Sequence, residues 1–219
     1  MWIHVHNRVR SRVHSPNALS RQRSPTVMAS QPVSVFSRHI TLFSALKAIK
    51  PGSTVSPVST FWTNACIAFF PLFSGFKIAN KEVVRGDDKR PDCVVLQISM
   101  LDSSPEGFSK EAVPSEQPVF VVQCRSPEKD TPAEWKLAED QLLDYCMRKV
   151  NGTTRIFAAT AIGTRVRFWR YDRPNFTPLF QDDGIYDLID GPASREVEQC
   201  LNYIRENGWN WAHGRTRRP

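Results

Sequence analysis

Five polar residues stand in an order that could do chemistry. Asp92 follows Pro91 and opens the apolar run Cys93-Val94-Val95-Leu96. Gln123 and Arg125, with Cys124 between them, close the next run, Val119-Phe120-Val121-Val122. Gln141 and Tyr145 stand four residues apart further on. By type these are a carboxylate, a carboxamide, a guanidinium and a Gln/Tyr pair. Carboxylate and carboxamide oxygens are hard donors of the kind Mg²⁺ takes. A guanidinium can fork onto a phosphate.

Two strands and a helix must position them. Both apolar runs are near-continuous, which suits central strands covered on two faces. Side chains alternate along a strand, so Gln123 and Arg125 share one face and Cys124 points into the opposite layer. The helix after them has a clear start. Thr131 serves as N-cap, Pro132 as first helical residue, and Glu134 completes a T-x-x-E capping box. Its apolar face runs Trp135, Ala138, Leu142, Cys146 and Val150, and Asn151-Gly152 ends it. Gln141 and Tyr145 then lie on one face.

Elsewhere, Ile40 to Ile49 predicts a short helix through Leu42 and Leu46, stopped by Pro51-Gly52. Residues 51–60, rich in Ser, Thr and Pro, predict a loop. Phe76 to Arg85 predicts a strand, with a turn at Gly86-Asp87-Asp88. Residues 102–117 predict an exposed acidic loop. Thr154 to Ala161 and Thr164 to Tyr171 predict a hairpin closed at Ile162-Gly163. Residues 172–192 read as loop, and Ala193 to Asn207 as a last amphipathic helix stopped by Gly208. This order predicts an α/β fold with a small mixed sheet flanked by helices.

Pro-Asp on one strand, Gln-x-Arg ending the next, and a helix with Q-x-x-x-Y together resemble the PD-(D/E)XK nuclease-like superfamily. The stretch from about Gly86 to Tyr171, including Trp135 to Tyr145 and Ile162 to Phe168, is similar to fungal members with a degenerate motif. The resemblance implies a restriction-endonuclease-like core and Mg²⁺-dependent hydrolysis of nucleic acid. It implies that Asp92 and Gln123 are the metal ligands, Arg125 the third catalytic position, and Gln141 and Tyr145 the supports. Two departures bear on that chemistry. Gln123 stands where the superfamily has its second acid and brings no negative charge. Arg125 stands where it has Lys, and Arg is a permanently charged fork, poorly suited to activating water. The alternative is a catalytically inactive module that binds nucleic acid or protein on the same fold.

Arg165, Arg167, Trp169 and Tyr171 alternate onto one face of the predicted second hairpin strand. Such a face can hold phosphates and stack bases, so Arg165 and Arg167 are candidate nucleic-acid contacts. The other reading is a solvated edge strand whose aromatics cover the adjoining helix.

Charge is unevenly spread over the 219 residues. Residues 1–81 hold ten Lys or Arg and no acid, while the rest hold nineteen basic and twenty-two acidic residues. The net charge of +7 therefore lies wholly in the first third. Residues 1–38 lack apolar periodicity and predict a disordered basic arm. That segment fits a mitochondrial transit peptide, a polyanion-binding arm, a solvated tail with no function, or a start codon placed too early, with Met28 the alternative start. The expected organisation is this arm, a nuclease-like domain over 39–208, and a basic tail over 209–219. No apolar stretch follows the basic start, so a secretory signal is excluded. The five cysteines are odd in number and widely spaced, which predicts neither a disulfide framework nor a zinc site, and a reducing compartment. The expected location is the nucleus or cytoplasm, with the mitochondrion left open by the arm. The run Phe61 to Phe76 has sixteen residues, carries Asn64 and is broken by Pro71. A span takes about twenty apolar residues, so this run predicts buried protein, helical to about Phe70, and no membrane partner. No His lies between His39 and His213, which leaves Ser or Cys nucleophiles without a base. No G-x-x-x-x-G-K or G-x-G-x-x-G phosphate loop occurs.

Overall fold

The computed structural model describes residues 33–80, 91–100, 114–149, 154–180 and 184–214. These belong to one unit that begins at Val33. In chain order the elements are α1 (Val35–Arg38), α2 (Ile40–Ala48), α3 (Val55–Phe69), β1 (Phe76–Asn80), β2 (Cys93–Met100) and β3 (Pro114–Arg125). Then come α4 (Pro132–Lys149), β4 (Arg155–Ile162), β5 (Arg165–Asp172), β6 (Asn175–Pro178), β7 (Tyr186–Asp187) and α5 (Gly191–Ala212). The predicted turn at Gly86-Asp87-Asp88 and the helix stop at Asn151-Gly152 lie outside the described residues.

The seven strands form one sheet in the order β1-β2-β3-β4-β5-β6, with β7 also on β5. All pairings are antiparallel except β3 with β4, and α4 is the crossover between those two. A parallel pair needs such a crossover, whereas hairpins join the antiparallel strands. The architecture is thus mixed α/β, with a larger and more antiparallel sheet than the predicted small one. β5 is an interior strand, paired on both sides, and not the edge strand of the second reading above.

Strand alternation divides the core in two. On one face Val95, Phe120, Val122, Phe157 and Phe168 pack under α2, α3 and α5. On the other, Val121, Ala158, Trp169 and Tyr171 pack under Leu142 and Cys146 of α4. Trp169 and Tyr171 therefore cover the adjoining helix, as expected of those aromatics. Register rows carry the alternation across strands: Val121, Ala158 and Trp169 are in line, and so are Gln123, Thr160 and Arg167.

Four boundaries differ from expectation. First, α1 brings Phe36 into the core against Phe61 and Phe69, so folded chain extends into the segment read as a disordered arm. Second, α3 starts at Val55, inside the predicted Ser/Thr/Pro loop, because burial of Val58 rewards helix there. Third, β3 starts at Pro114, and β6 and β7 occupy parts of the predicted 172–192 loop. Fourth, α5 runs through Gly208 to Ala212 and buries Trp211. A Cβ on Gly208 would stand 2.9 Å from that of Val119, so glycine there lets α5 press onto β3. Among the described residues no helix is long and apolar enough to cross a membrane.

Candidate functional site

The site assembles at the start of β2, the end of β3 and the middle of α4. Asp92 is pinned first through its backbone, whose N–H donates to the Val122 carbonyl at 2.9 Å. Its carboxylate Oδ2 then accepts two hydrogen bonds, from the Cys124 backbone N–H at 2.8 Å and from Gln123 Nε2 at 3.2 Å. Gln123 is buried. One turn of strand further, Arg125 Nη2 donates to Gln141 Oε1 on α4. The Arg125 Nε–H is buried and has no acceptor among the described residues.

These side chains share an open cleft of about 510 Å³. Its floor is Asp92, Gln123 and Arg125, with Gln141 on one wall and the loop before α3 on another. The structure thus brings together four of the five motif residues. Tyr145 packs instead against the Val121–Trp169 core, one turn along from Gln141. Glu128 and Lys129 also line the cleft and were missed from sequence. They sit on a short 3-10 turn over Pro127–Lys129, where no strand or helix periodicity marks a facing residue. Their one signal is position, straight after the Gln-x-Arg triplet. Lys129 is paired with Glu134 of the capping box at 2.8 Å, and Thr131 caps the Glu134 N–H as expected.

Arg165 and Arg167 lie on the same sheet face but not in this cleft. They line a smaller pocket of about 380 Å³ with Trp135, beyond the turn into α4. Arg165 is ion-paired with Asp130 at 3.0 Å and approaches Asp187 at 3.9 Å. Arg167 lies over the Trp169 ring, 5.2 Å from its centre.

The donor set fits Mg²⁺ poorly. A ligating Gln123 would have to turn its oxygen toward the ion, yet its NH₂ faces Asp92. Oδ2 of Asp92 already receives two N–H donors. Among the described residues no group of three or more His, Cys, Asp or Glu is arranged to hold a metal ion.

Behind the cleft, on the opposite sheet face, lie the buried thiols of Cys66, Cys93 and Cys124. The Cys66 thiol is pushed well up, first by its hydrogen bond with Cys93 and then by burial. Burial pushes Cys124 up, and the Asp92 charge adds to it. On α4, burial raises Cys146 to about 12. All three stay protonated and unreactive at neutral pH. A thiol reagent at pH 8 should therefore label none of the five cysteines until denaturant is added. These thiols hold their protons in the folded state and lose them on unfolding, so their contribution is complete below the ordinary thiol value of 9.0 and declines as pH climbs towards about 12. Urea melts across that alkaline window check it; a flat profile would contradict the burial.

The chain matches no family model, no curated protein and no solved structure.

Proposed function

We propose that the protein is a nucleic-acid-binding module of the nuclease-like class, which holds a backbone phosphate in the Asp92–Arg125 cleft and does not cleave it. The observation that carries this reading is the state of Arg125. Its guanidinium is fixed by a neutral amide, Gln141, so its positive charge is not cancelled by that partner. Its buried Nε–H lacks an acceptor among the described residues, and an unmatched donor costs on the order of 1–3 kcal/mol. A phosphate oxygen entering from the cleft, with a small shift of the side chain, supplies that acceptor. The gathering of Asp92, Gln123 and Gln141 around Arg125, on a mixed sheet whose one parallel pair is joined through α4, supports the class. The poor fit to Mg²⁺ supports binding over turnover.

Binding of a labelled oligonucleotide to the full chain at low salt tests this. Arg125→Gln should weaken it about tenfold, the loss of one charge-assisted contact. Affinity should also fall with added salt as counterions cease to be released. Equal binding by parent and variant would refute the clamp. Magnesium-dependent cleavage that Asp92→Asn abolishes would replace this reading with the hydrolytic one, in which Asp92 and Gln123 hold the metal.

A further inference from the structure

A second polar pocket, of about 210 Å³, lies at the opposite end of the sheet and on its other face. Arg170, Asp172, Arg173, Asn175, Thr177 and Trp211 line it. Strand register builds it. Arg170 is in line with Phe157 and Thr177, and Asp172 with Arg155 and Asn175. Phe157 belongs to the face under α5, so this whole row looks toward α5, away from α4. From α5, Trp211 stacks on Phe157 with ring centres 5.7 Å apart and closes the pocket.

We propose that this pocket binds a phosphate-sized oxyanion. Its lining brings together the guanidinium side chains of Arg170 and Arg173, the Asn175 amide and the Thr177 hydroxyl, with the Trp211 indole beside them. The one acid is Asp172, and its carboxylate is taken up by Arg155 Nε at 3.1 Å. Arg155 itself lies over the Trp211 ring, 5.0 Å from its centre, so this ion pair borders the pocket and leaves Arg170 and Arg173 as its cations. Trp211 is 3% exposed, and its Nε1–H is buried with no acceptor among the described residues. A buried indole N–H ordinarily finds one. An anion oxygen seated in the pocket would serve it after a small shift of the side chains that cover it. Donors arriving from β5, the β5–β6 turn, β6 and α5 surround a tetrahedral oxyanion better than a planar carboxylate, which one guanidinium fork satisfies. The inference is independent of the Asp92 cleft, since the two sites share no residue.

The test follows the indole N–H resonance of Trp211 in the ¹⁵N-labelled full chain, assigned by its loss in Trp211→Phe. Inorganic phosphate should shift it saturably, with Kd on the order of 1 mM or tighter. Acetate at the same ionic strength should shift it little. Arg170→Gln should abolish the response. Arg173→Gln, which changes only an exposed side chain on the β5–β6 turn, should weaken it at least severalfold. Arg125→Gln should leave it intact. A resonance that phosphate does not move, or that moves equally in Arg170→Gln and Arg173→Gln, would overturn the proposal.

Discussion

Replacing Gln123 with Glu should destabilise the protein by about 2 kcal/mol in metal-free buffer at neutral pH. The substitution removes the amide donor that now faces Asp92 at 3.2 Å and sets a second carboxylate in its place. Two carboxylates at that distance cannot both ionise freely, so one takes up a proton near neutrality. The sign is fixed by that raised value: the penalty is small in acid and grows as pH climbs through it. Mg²⁺ should reverse the loss, because the variant offers two acidic oxygens where the parent offers one acid already engaged by N–H donors. Binding to the folded state alone stabilises it in proportion to RT ln(1 + [Mg²⁺]/Kd). Urea melts of parent and variant, each with EDTA or with Mg²⁺, measure all of this. The parent should be indifferent to the ion. A variant equally indifferent would show that residues 92 and 123 do not face one another as described.

The largest single loss of stability is expected at Phe120. Its ring is fully buried and stacks between Phe70 at 5.8 Å and Phe168 at 6.2 Å. Phe168 in turn touches Trp62 at 6.2 Å, so these rings link α3 to the centre of the sheet. Phe120→Ala removes the link and leaves a cavity that rigid neighbouring rings cannot fill. A cost of about 3–5 kcal/mol follows, read as a lower urea midpoint with an unchanged slope. Phe120→Leu keeps most of the volume and should lose much less. Equal losses for the two would mean that the stack contributes through volume-independent effects.

How far the fold could be read in advance depended on how each element is held. α4 announced itself, because Thr131, Pro132 and Glu134 act within one turn and their interactions are local. The core of β3 did so too, since burial on both faces leaves an unbroken apolar run, whereas β2 alternates buried Cys93 and Val95 with half-buried Val94 and Leu96. α3 did not at its start. Val55 to Thr60 are poor helix formers by composition, and only Val58 meeting the core makes helix worthwhile there. β6 and β7 have four and two residues, too short for any periodicity to appear. Gly208 misled for a different reason. Read alone it stops a helix, but in α5 its missing side chain is what brings the helix onto Val119. At the site, strand parity foretold that Gln123 and Arg125 would face the same way. It gave no access to Glu128 and Lys129, which arrive on a turn. Nor could it separate Arg165 and Arg167 from the cleft, because what parts them is the path of the chain into α4.

The Asp92 carboxylate also fastens the backbone of β3 by accepting the Cys124 N–H. An acid with that second duty is hard to lose. The needs of folding alone are enough to keep an Asp at this position, whatever the cleft does. A Pro-Asp pair at such a strand start is therefore no sign of activity by itself. Of the three motif positions, the two that end the neighbouring strand are the ones that report on chemistry.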